Sequence, residues 1–320
     1  MIPISAMHIP DGFLSVPVAL LGWALLVAAV ALALRQTGRS LGERQVPLMG
    51  ILAAFVFAAQ MINFPVAGGT SGHLIGGALI AILLGPWAAA LVLASVLAVQ
   101  GLLFQDGGLL AMGFNAFNMG VIAVFVGYAV YNWTRRLLGD TPTSRLAGAA
   151  LGAWLSVMAA AAATALQLAL SGTVAFEVVV PAMLAVHALI GVGEALITVG
   201  ALAFIRVTRP DLIGAESGRT AAAGSGWVAA GLLIALAVAL ASPLADPNPD
   251  GLERVAEDHG FIEAAQDAPY TIIPDYVVPG IENEALATMA AGVIGVIVMA
   301  VVGYGLARLT RRRAPESAAS

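Results

Sequence analysis

Long apolar runs separated by short polar stretches dominate the pattern of this chain. Each long run is near the roughly 20 residues that a helix needs to cross the hydrocarbon core of a bilayer. Eight such runs predict membrane-spanning helices, at about 16–34, 46–63, 86–104, 114–134, 146–170, 182–205, 226–243 and 286–307. A shorter run, at about 72–84, ends at Gly85-Pro86, where proline should break a helix. The pattern therefore predicts an all-α polytopic membrane protein.

Composition narrows the function classes further. The chain has 320 residues, of which 60% are hydrophobic and only 10% charged, against roughly 25% charged in an ordinary soluble domain. Its mean hydropathy is +0.94. These values exclude a soluble enzyme, a disordered chain and a nucleic-acid-binding protein. Cysteine is absent and all 14 basic residues are arginine, which excludes thiolate metal sites and the lysine of a P-loop.

The arginines predict the orientation of the chain. All of them except Arg254 lie in four segments, at 35–44, 135–145, 206–219 and 308–313. The positive-inside rule places these segments in the cytoplasm, with the N-terminus outside and the C-terminus inside. An odd number of crossings is then required, so 72–104 must cross twice and the total becomes nine transmembrane helices. A re-entrant hairpin over the same stretch is the alternative that preserves this sidedness.

Two modules are predicted along the chain. Residues 1–213 would form a seven-helix bundle, and the small, polar residues 214–224 would form a flexible linker. Residues 225–320 would form a hairpin of two helices around an external loop at 244–285. That loop is acidic and contains several prolines, which predicts a largely irregular structure.

Three histidines lie near or within the predicted membrane helices, where polar groups are costly and often functional. His8 follows Met7; if Met7 were the first residue, its α-amine, the His8 amide nitrogen and the His8 Nδ1 would form fused chelate rings around a metal. A second imidazole would close a planar site of four nitrogens, which favours Ni(II) or Cu(II) over Zn(II). His73 and His187 are the other two, whereas His259 in the acidic loop is expected to be solvated.

His73 ends a glycine-rich segment in which Ser71 could cap the following helix. A structural role and a place at the outer mouth of a site both remain open for His73. His187 and Glu194 are seven residues apart and share one helix face. A proton relay, support of a metal ligand and a buried helix–helix hydrogen bond all remain open for that pair.

Two pairs of amide side chains also share helix faces. Asn115 lies three residues from Asn118, and Asn63 lies three residues from Gln60. Each pair could either support a metal ligand by hydrogen bonding or join two helices. The candidates for hydrogen bonding to the metal ligands of the predicted site are therefore Ser71, Asn63, Asn115, His187 and Glu194.

Six segments carry a resemblance to a known family. They are Met7-His-Ile-Pro-Asp-Gly-Phe-Leu-Ser15, the runs 47–60 and 63–73, Gly85-Pro-Trp87, Phe104-Gln-Asp-Gly-Gly108 and the run 187–194. Together they resemble the CbiM/NikM family, the substrate-capturing membrane components of energy-coupling-factor ABC transporters for cobalt and nickel. The likeness covers about residues 7–206. The tail resembles the PDGLE-type, CbiN/NikN-like accessory module, with Pro249-Asp-Gly-Leu-Glu253 opening its external loop.

The resemblance implies a function and a set of ligands. The N-terminal tail would fold into the bundle from outside, and Met7, His8 and His73 would bind Ni(II) or Co(II) as cargo rather than as a cofactor. A transmembrane coupling protein and two ATPases would be the partners, in the lipid of the cell membrane. No catalytic residue and no nucleic acid is expected. The alternative is a proton-coupled secondary transporter that uses Glu194 and His187; a membrane-embedded hydrolase lacks its usual motifs.

Residues 1–6 precede Met7, and an amide nitrogen there would be a much poorer ligand than a free amine. We therefore expect the functional chain to start at Met7, through initiation there or through trimming. Intact-mass measurement of the purified protein checks this expectation. Retention of residues 1–6 in a protein that binds nickel tightly would contradict it.

Overall fold

The structure is a computed structural model that describes residues 7–212 and 226–311. It is predominantly helical, and its described part holds six helical stretches that are long and apolar enough to cross a membrane. The structure therefore confirms the predicted class, a predominantly helical membrane protein. The segments 1–6 and 213–225 lie outside the described residues, and with them the start at Met7 and the linker 214–224.

Eleven helices and one short hairpin make up the described chain. The first module contains α1 (Val16–Ser40), α2 (Gln45–Gln60), β1 (Phe64–Val66), β2 (Thr70–Gly72), α3 (Gly77–Leu84), α4 (Pro86–Val99), α5 (Met112–Phe117), α6 (Ala123–Leu138), α7 (Pro142–Leu170) and α8 (Phe176–Thr208). The second contains α9 (Gly226–Leu240), α10 (Gly251–Asp258) and α11 (Glu284–Thr310). A π-helical turn at 100–104 extends α4, and another at 118–122 joins α5 to α6.

The short helix α3 differs most from the predicted pattern. The helix covers only Gly77–Leu84, because the preceding residues 70–72 form a strand and Gly76 has a left-handed φ of 76°. Eight helical residues rise about 12 Å, well short of the bilayer core. The break at Gly85-Pro86 is confirmed, since α3 ends at Leu84 and α4 begins at Pro86. The count of nine crossings stays a prediction.

Local sequence explains where the long helices begin. Thr141 accepts a hydrogen bond from the Ser144 backbone N–H while the Ser144 hydroxyl contacts the Thr141 N–H, which is a capping box. Pro142 follows at the first helical position, where its missing N–H costs nothing. Asn283 caps α11 through the Leu286 N–H. These capping residues therefore mark where a polar connection ends and the next apolar helix begins.

The helices of the second module pack on the first through α2. Both α9 and α11 lie against α2, where Gly50 faces the Ala300 carbonyl and Gly303 faces Ala53. A Cβ atom on Gly50 would come within 2.8 Å of that carbonyl oxygen, so only glycine permits the close approach of these helices. Phe57 is fully buried at the same interface.

The loop 244–285 is more structured than its composition predicts. It holds α10 and two short 3₁₀ turns, at 262–264 and 274–276, although most of its residues are irregular as expected. Asp250 caps α10 by accepting a hydrogen bond from the Glu253 N–H, and Leu252 and Val255 are buried in a shared apolar cluster with Phe13 of the first module. This packing fixes the loop against the N-terminal tail.

Candidate metal centre

The N-terminal tail is held inside the bundle by paired polar groups. The Ile9 N–H donates to Asn115 Oδ1, and Asn115 Nδ2 donates back to the Ile9 carbonyl, each at 3.0 Å. The Asp11 carboxylate accepts three hydrogen bonds of 2.9 to 3.0 Å from the N–H groups of residues 109–111. Buried backbone groups need such partners. Asn115 therefore supports the site by fixing the tail.

Asp106-Gly-Gly108 forms the floor on which the tail lies. The Gly108 N–H donates to the Ile9 carbonyl at 2.9 Å. Gly107 has a φ of 91°, and a Cβ atom there would lie 2.8 Å from the Cβ of His8. Both the left-handed backbone and the close approach demand glycine at this position. The two glycines thus let His8 descend beside Asp106.

His73 is presented by the β1–β2 hairpin and the turn that follows it. Both Glu194 carboxylate oxygens are engaged by that turn: the Ile75 N–H donates to Oε2 at 2.6 Å and the Gly76 N–H donates to Oε1 at 2.9 Å. Glu194 is fully buried in α8. Charge-assisted hydrogen bonds of this kind are strong, so Glu194 locks the segment that carries His73.

Two imidazoles and the main chain of Met7 converge at this point. The ring centroids of His8 and His73 lie 5.4 Å apart, with the ring planes at 68°. His73 Nε2 lies 3.2 Å from the Met7 carbonyl oxygen, and His73 Nδ1 lies 3.1 Å from the Leu74 carbonyl oxygen. His8 Nδ1 lies 2.9 Å from Asp106 Oδ1. The predicted ligands Met7, His8 and His73 are thus brought together.

The chemistry of His73 suits a metal ligand. A neutral imidazole has one N–H, which donates to the Leu74 carbonyl when it sits on Nδ1. Nε2 then has no proton to donate to the Met7 carbonyl oxygen 3.2 Å away, and its lone pair is available to an ion. Metal-binding histidines commonly fix their tautomer in this way, through Nδ1–H and a backbone carbonyl. Burial lowers the pKa of His73, as does neighbouring His8, so the neutral form is favoured.

His8 and Asp106 form a close buried pair, with His8 Nδ1 2.9 Å from Asp106 Oδ1. Burial alone would lower the pKa of His8, but the Asp106 carboxylate outweighs it and raises that pKa. Burial alone would raise the pKa of Asp106, but His8 outweighs it and lowers that pKa. Each group therefore favours the charged form of the other, and a carboxylate stands next to the converging nitrogens.

A small cavity of about 80 Å³ opens beside these groups, lined by Met7, His8, His73, His187 and Asp250 among others. His187 contributes its ring from α8, with Nδ1 2.8 Å from the Met183 carbonyl oxygen. Burial raises the pKa of Asp250 to about 7. The cavity has room for an ion and a few water molecules.

The loop of the second module covers the site at three places. The Gln266 N–H donates to the Asp11 carbonyl at 2.8 Å. The Ser71 hydroxyl donates to the Asn248 carbonyl at 2.7 Å, and the Ser71 N–H donates to the Pro249 carbonyl at 2.8 Å. Residues 270–276 lie along residues 101–106. Every segment that forms the centre is therefore contacted by this loop.

One sequence-based role needs correction. Ser71 does not cap the following helix, because the strand continues through Gly72 and the residue preceding α3 is Gly76; Ser71 instead binds the second module. His187 and Glu194 have separate partners, since His187 contacts Met183 in its own helix and both Glu194 oxygens are taken by the turn after His73. Asn63 contacts the second module as well, with its carbonyl accepting from the Asp246 N–H at 2.9 Å.

Sequence reasoning missed Asp106, Asp250 and Tyr276. Both aspartates precede glycine, and Asp-Gly between apolar runs is a typical turn signal. Their burial, at 3% and 5% exposure, is what separates them from turn residues. Within the described residues there is no group of three or more histidine, aspartate or glutamate side chains that could hold a metal ion.

Comparison with known proteins places this architecture in a family. Residues 8–212 match the CbiM profile, described as a cobalt uptake substrate-specific transmembrane region. The chain belongs to the CbiM family. Residues 225–312 match the PDGLE domain, so this CbiM-family chain carries both parts. It is a multi-pass membrane protein of the nickel and cobalt transport family.

The relatives of this CbiM-family chain include fused proteins. One is named as a fused nickel transport protein of Archaeoglobus fulgidus. It is 36% identical over 311 residues, and the match covers 95% of this chain and 99% of that protein. The fused nickel transport protein NikMN of Rhodobacter capsulatus is 29% identical, covering 96% and 99%. The crystal structure of a truncated transition metal transporter has a TM-score of 0.57 and 36% identity, covering 63% of this chain and 99% of its own.

We expect Glu194→Gln to destabilise the protein by about 1–3 kcal/mol, because the glutamine NH₂ would face a backbone N–H where an oxygen is needed. Thermal unfolding in detergent measures the change. The matched control is Glu177→Gln in the exposed first turn of the same helix, which should leave the unfolding temperature unchanged. Equal effects of the two substitutions would contradict the role given to Glu194.

Proposed function

We propose that this protein captures Ni(II) or Co(II) at the outer face of the cell membrane and carries it inward as the substrate-specific component of an energy-coupling-factor importer. The observation that supports this most is the convergence of two imidazoles, from buried His8 and partly buried His73, on the main chain of Met7. Family membership supports the transported class of metal, and the small cavity suits a bare or nearly bare ion.

The ligand set would be four nitrogens. They are the Met7 α-amine, the His8 amide nitrogen, His8 Nδ1 and His73 Nε2. His73 already directs Nε2 towards Met7, whereas His8 Nδ1 faces Asp106 and would turn to the ion on loading. A free amine requires that the chain begins at Met7. Since the amide and imidazole nitrogens bind metal only without their protons, affinity should fall in acid.

Planar nitrogen coordination favours nickel over cobalt by geometry and by the usual affinity order. The same nitrogens bind both metals. We therefore propose both as cargo, with the tighter binding to nickel. Neither would act as a resident cofactor, and the function proposed is transport rather than catalysis.

The proposed orientation places the metal centre outside and the arginine-rich ends of the helices inside. An ion pair of 2.6 Å between Arg311 and Glu43 joins the end of α11 to the α1–α2 connection, which supports placing both in one compartment. Nine crossings would include α3 together with the residues just before it. Because α3 rises only about 12 Å, that crossing would depend on protein neighbours for its polar backbone.

Energy for transport would come from partners. A chain without lysine has no P-loop, so we propose a transmembrane coupling protein and two ATPase subunits as its partners. The alternative, proton-driven transport through Glu194 and His187, has less support. Glu194 is committed to two backbone N–H groups and His187 to the Met183 carbonyl, so neither contacts the other.

We expect His73→Ala to weaken Ni(II) binding by roughly 100-fold or more, because it removes one of the proposed ligands itself. Isothermal titration of Ni(II) and Co(II) into the purified protein under anaerobic conditions measures this. His259→Ala, at an exposed position of the outer loop, is the matched control and should bind like the parent. A His73→Ala protein that binds nickel as tightly as the parent would rule out the site.

We expect nickel uptake by cells to require the ATPase partners, although binding to the purified chain does not. Omitting the ATPases should abolish uptake of radioactive Ni²⁺ and leave the titration unchanged. Vesicles that hold this chain alone, with an imposed pH gradient, provide the opposing test. Uptake driven by that gradient would favour the secondary transporter instead.

A further inference from the structure

One side chain of the second module reaches the innermost part of the metal centre. The Tyr276 hydroxyl donates a hydrogen bond of 2.6 Å to Asp106 Oδ2. The other carboxylate oxygen of Asp106, Oδ1, lies 2.9 Å from His8 Nδ1. All three side chains are buried, at 6%, 3% and 4% exposure. A continuous polar chain therefore links the second module to a proposed ligand.

The backbone at Tyr276 has an unusual conformation. Asp275 and Tyr276 have φ angles of 50° and 59°, a left-handed conformation that non-glycine residues rarely adopt. The Tyr276 ring stacks on Phe104, with centroids 4.9 Å apart and planes at 19°, and it packs against Phe57. Such strain persists only where surrounding contacts enforce it, and it is concentrated at functional sites.

The neighbouring residues of the loop are docked independently of Asp106. The Tyr270 hydroxyl donates to the Leu102 carbonyl at 2.9 Å, and the Ile272 N–H donates to Gln105 Oε1 at 3.0 Å. The Ile273 N–H donates to the Leu103 carbonyl at 3.2 Å. Since these contacts already attach the loop, the Tyr276 hydroxyl is not needed for attachment. Its contact with Asp106 therefore acts on the orientation of that carboxylate rather than on attachment of the loop.

We propose that Tyr276 is a positioning residue for the metal centre: it holds the Asp106 carboxylate beside His8, so that this negative charge lies next to the ligand set. This inference rests on the proposed function. It assigns to the PDGLE part of the chain a specific side chain that acts on the ligand set without touching the ion.

The physical reasoning concerns the direction of a carboxylate. Without the hydroxyl, Asp106 could rotate about its side-chain bonds and move its charge away from the ligand set; the hydroxyl on Oδ2 keeps Oδ1 facing the imidazole. When His8 Nδ1 turns to the ion, Asp106 remains next to a complex that carries net positive charge. A carboxylate held there favours the loaded state as well. Groups that orient ligands are worth about 10- to 100-fold in metal affinity.

The experiment compares two tyrosines of one loop. Tyr276→Phe removes the hydroxyl that holds Asp106, whereas Tyr270→Phe removes a hydroxyl that binds only backbone carbonyls in the same docked segment. Asp106→Asn tests the link from its other side. Ni(II) titration measures affinity for each full-length variant. Selective ¹⁵N labelling of the four histidines reports the state of the His8 ring in the ion-free protein, with His→Ala variants for assignment.

Tyr276→Phe should weaken Ni(II) binding about tenfold and shift the His8 ring nitrogen resonances, while Tyr270→Phe matches the parent in both. The double variant Tyr276→Phe/Asp106→Asn should bind no more weakly than Asp106→Asn alone, because residues that act in one chain are not additive.

Parent-like affinity and resonances for Tyr276→Phe would overturn the proposal. Equal losses in the two tyrosine variants would also overturn it, because they would assign the effect to docking of the loop. His73→Ala in the same series separates the two levels of inference. Loss of binding in His73→Ala with no effect of Tyr276→Phe would refute the positioning role and leave the metal site intact.

Discussion

Burial of a polar N-terminal segment inside an apolar bundle is the constraint from which the rest of this structure follows. Each amide and carbonyl of that segment that leaves water needs a partner inside the protein. Asn115 forms hydrogen bonds with both backbone groups of Ile9, and the Asp11 carboxylate accepts from the N–H groups of residues 109–111, just before α5. Only with those partners in place can His8 lie 5.4 Å from His73, centroid to centroid.

Much of the fold could be predicted because membrane spans obey simple rules. Long apolar runs gave the class, and Gly85-Pro86 gave a correct break because proline cannot continue the hydrogen bonding of α3 into α4. The three residues expected to bind metal could be named in advance because their motifs resemble those of a family, and they lie together in the structure. The short length of α3 was harder to predict, since apolar composition cannot distinguish a strand and turn at 70–76 from the first turn of a helix.

Partners across long sequence distances were the part that could not be predicted. Ser71 looked like a helix cap because its spacing allows one, yet it binds a carbonyl 177 residues away. Asp106 looked like a turn residue because glycine follows it. Glu194 and His187 share a helix face, but each is satisfied by its own neighbours. Periodicity describes which residues share a face, and it carries no information about what another element brings to that face.

The docking of the outer loop on the N-terminal tail has a consequence for assembly. Both backbone and side-chain hydrogen bonds hold the covering loop, and several of them use only backbone atoms. One polypeptide supplies a high effective concentration of each part to the other, so their association does not depend on the concentration of separate subunits. Fusion also fixes their stoichiometry at one to one in every molecule. Each molecule of this chain therefore carries the metal-centre segments together with the loop that packs over them.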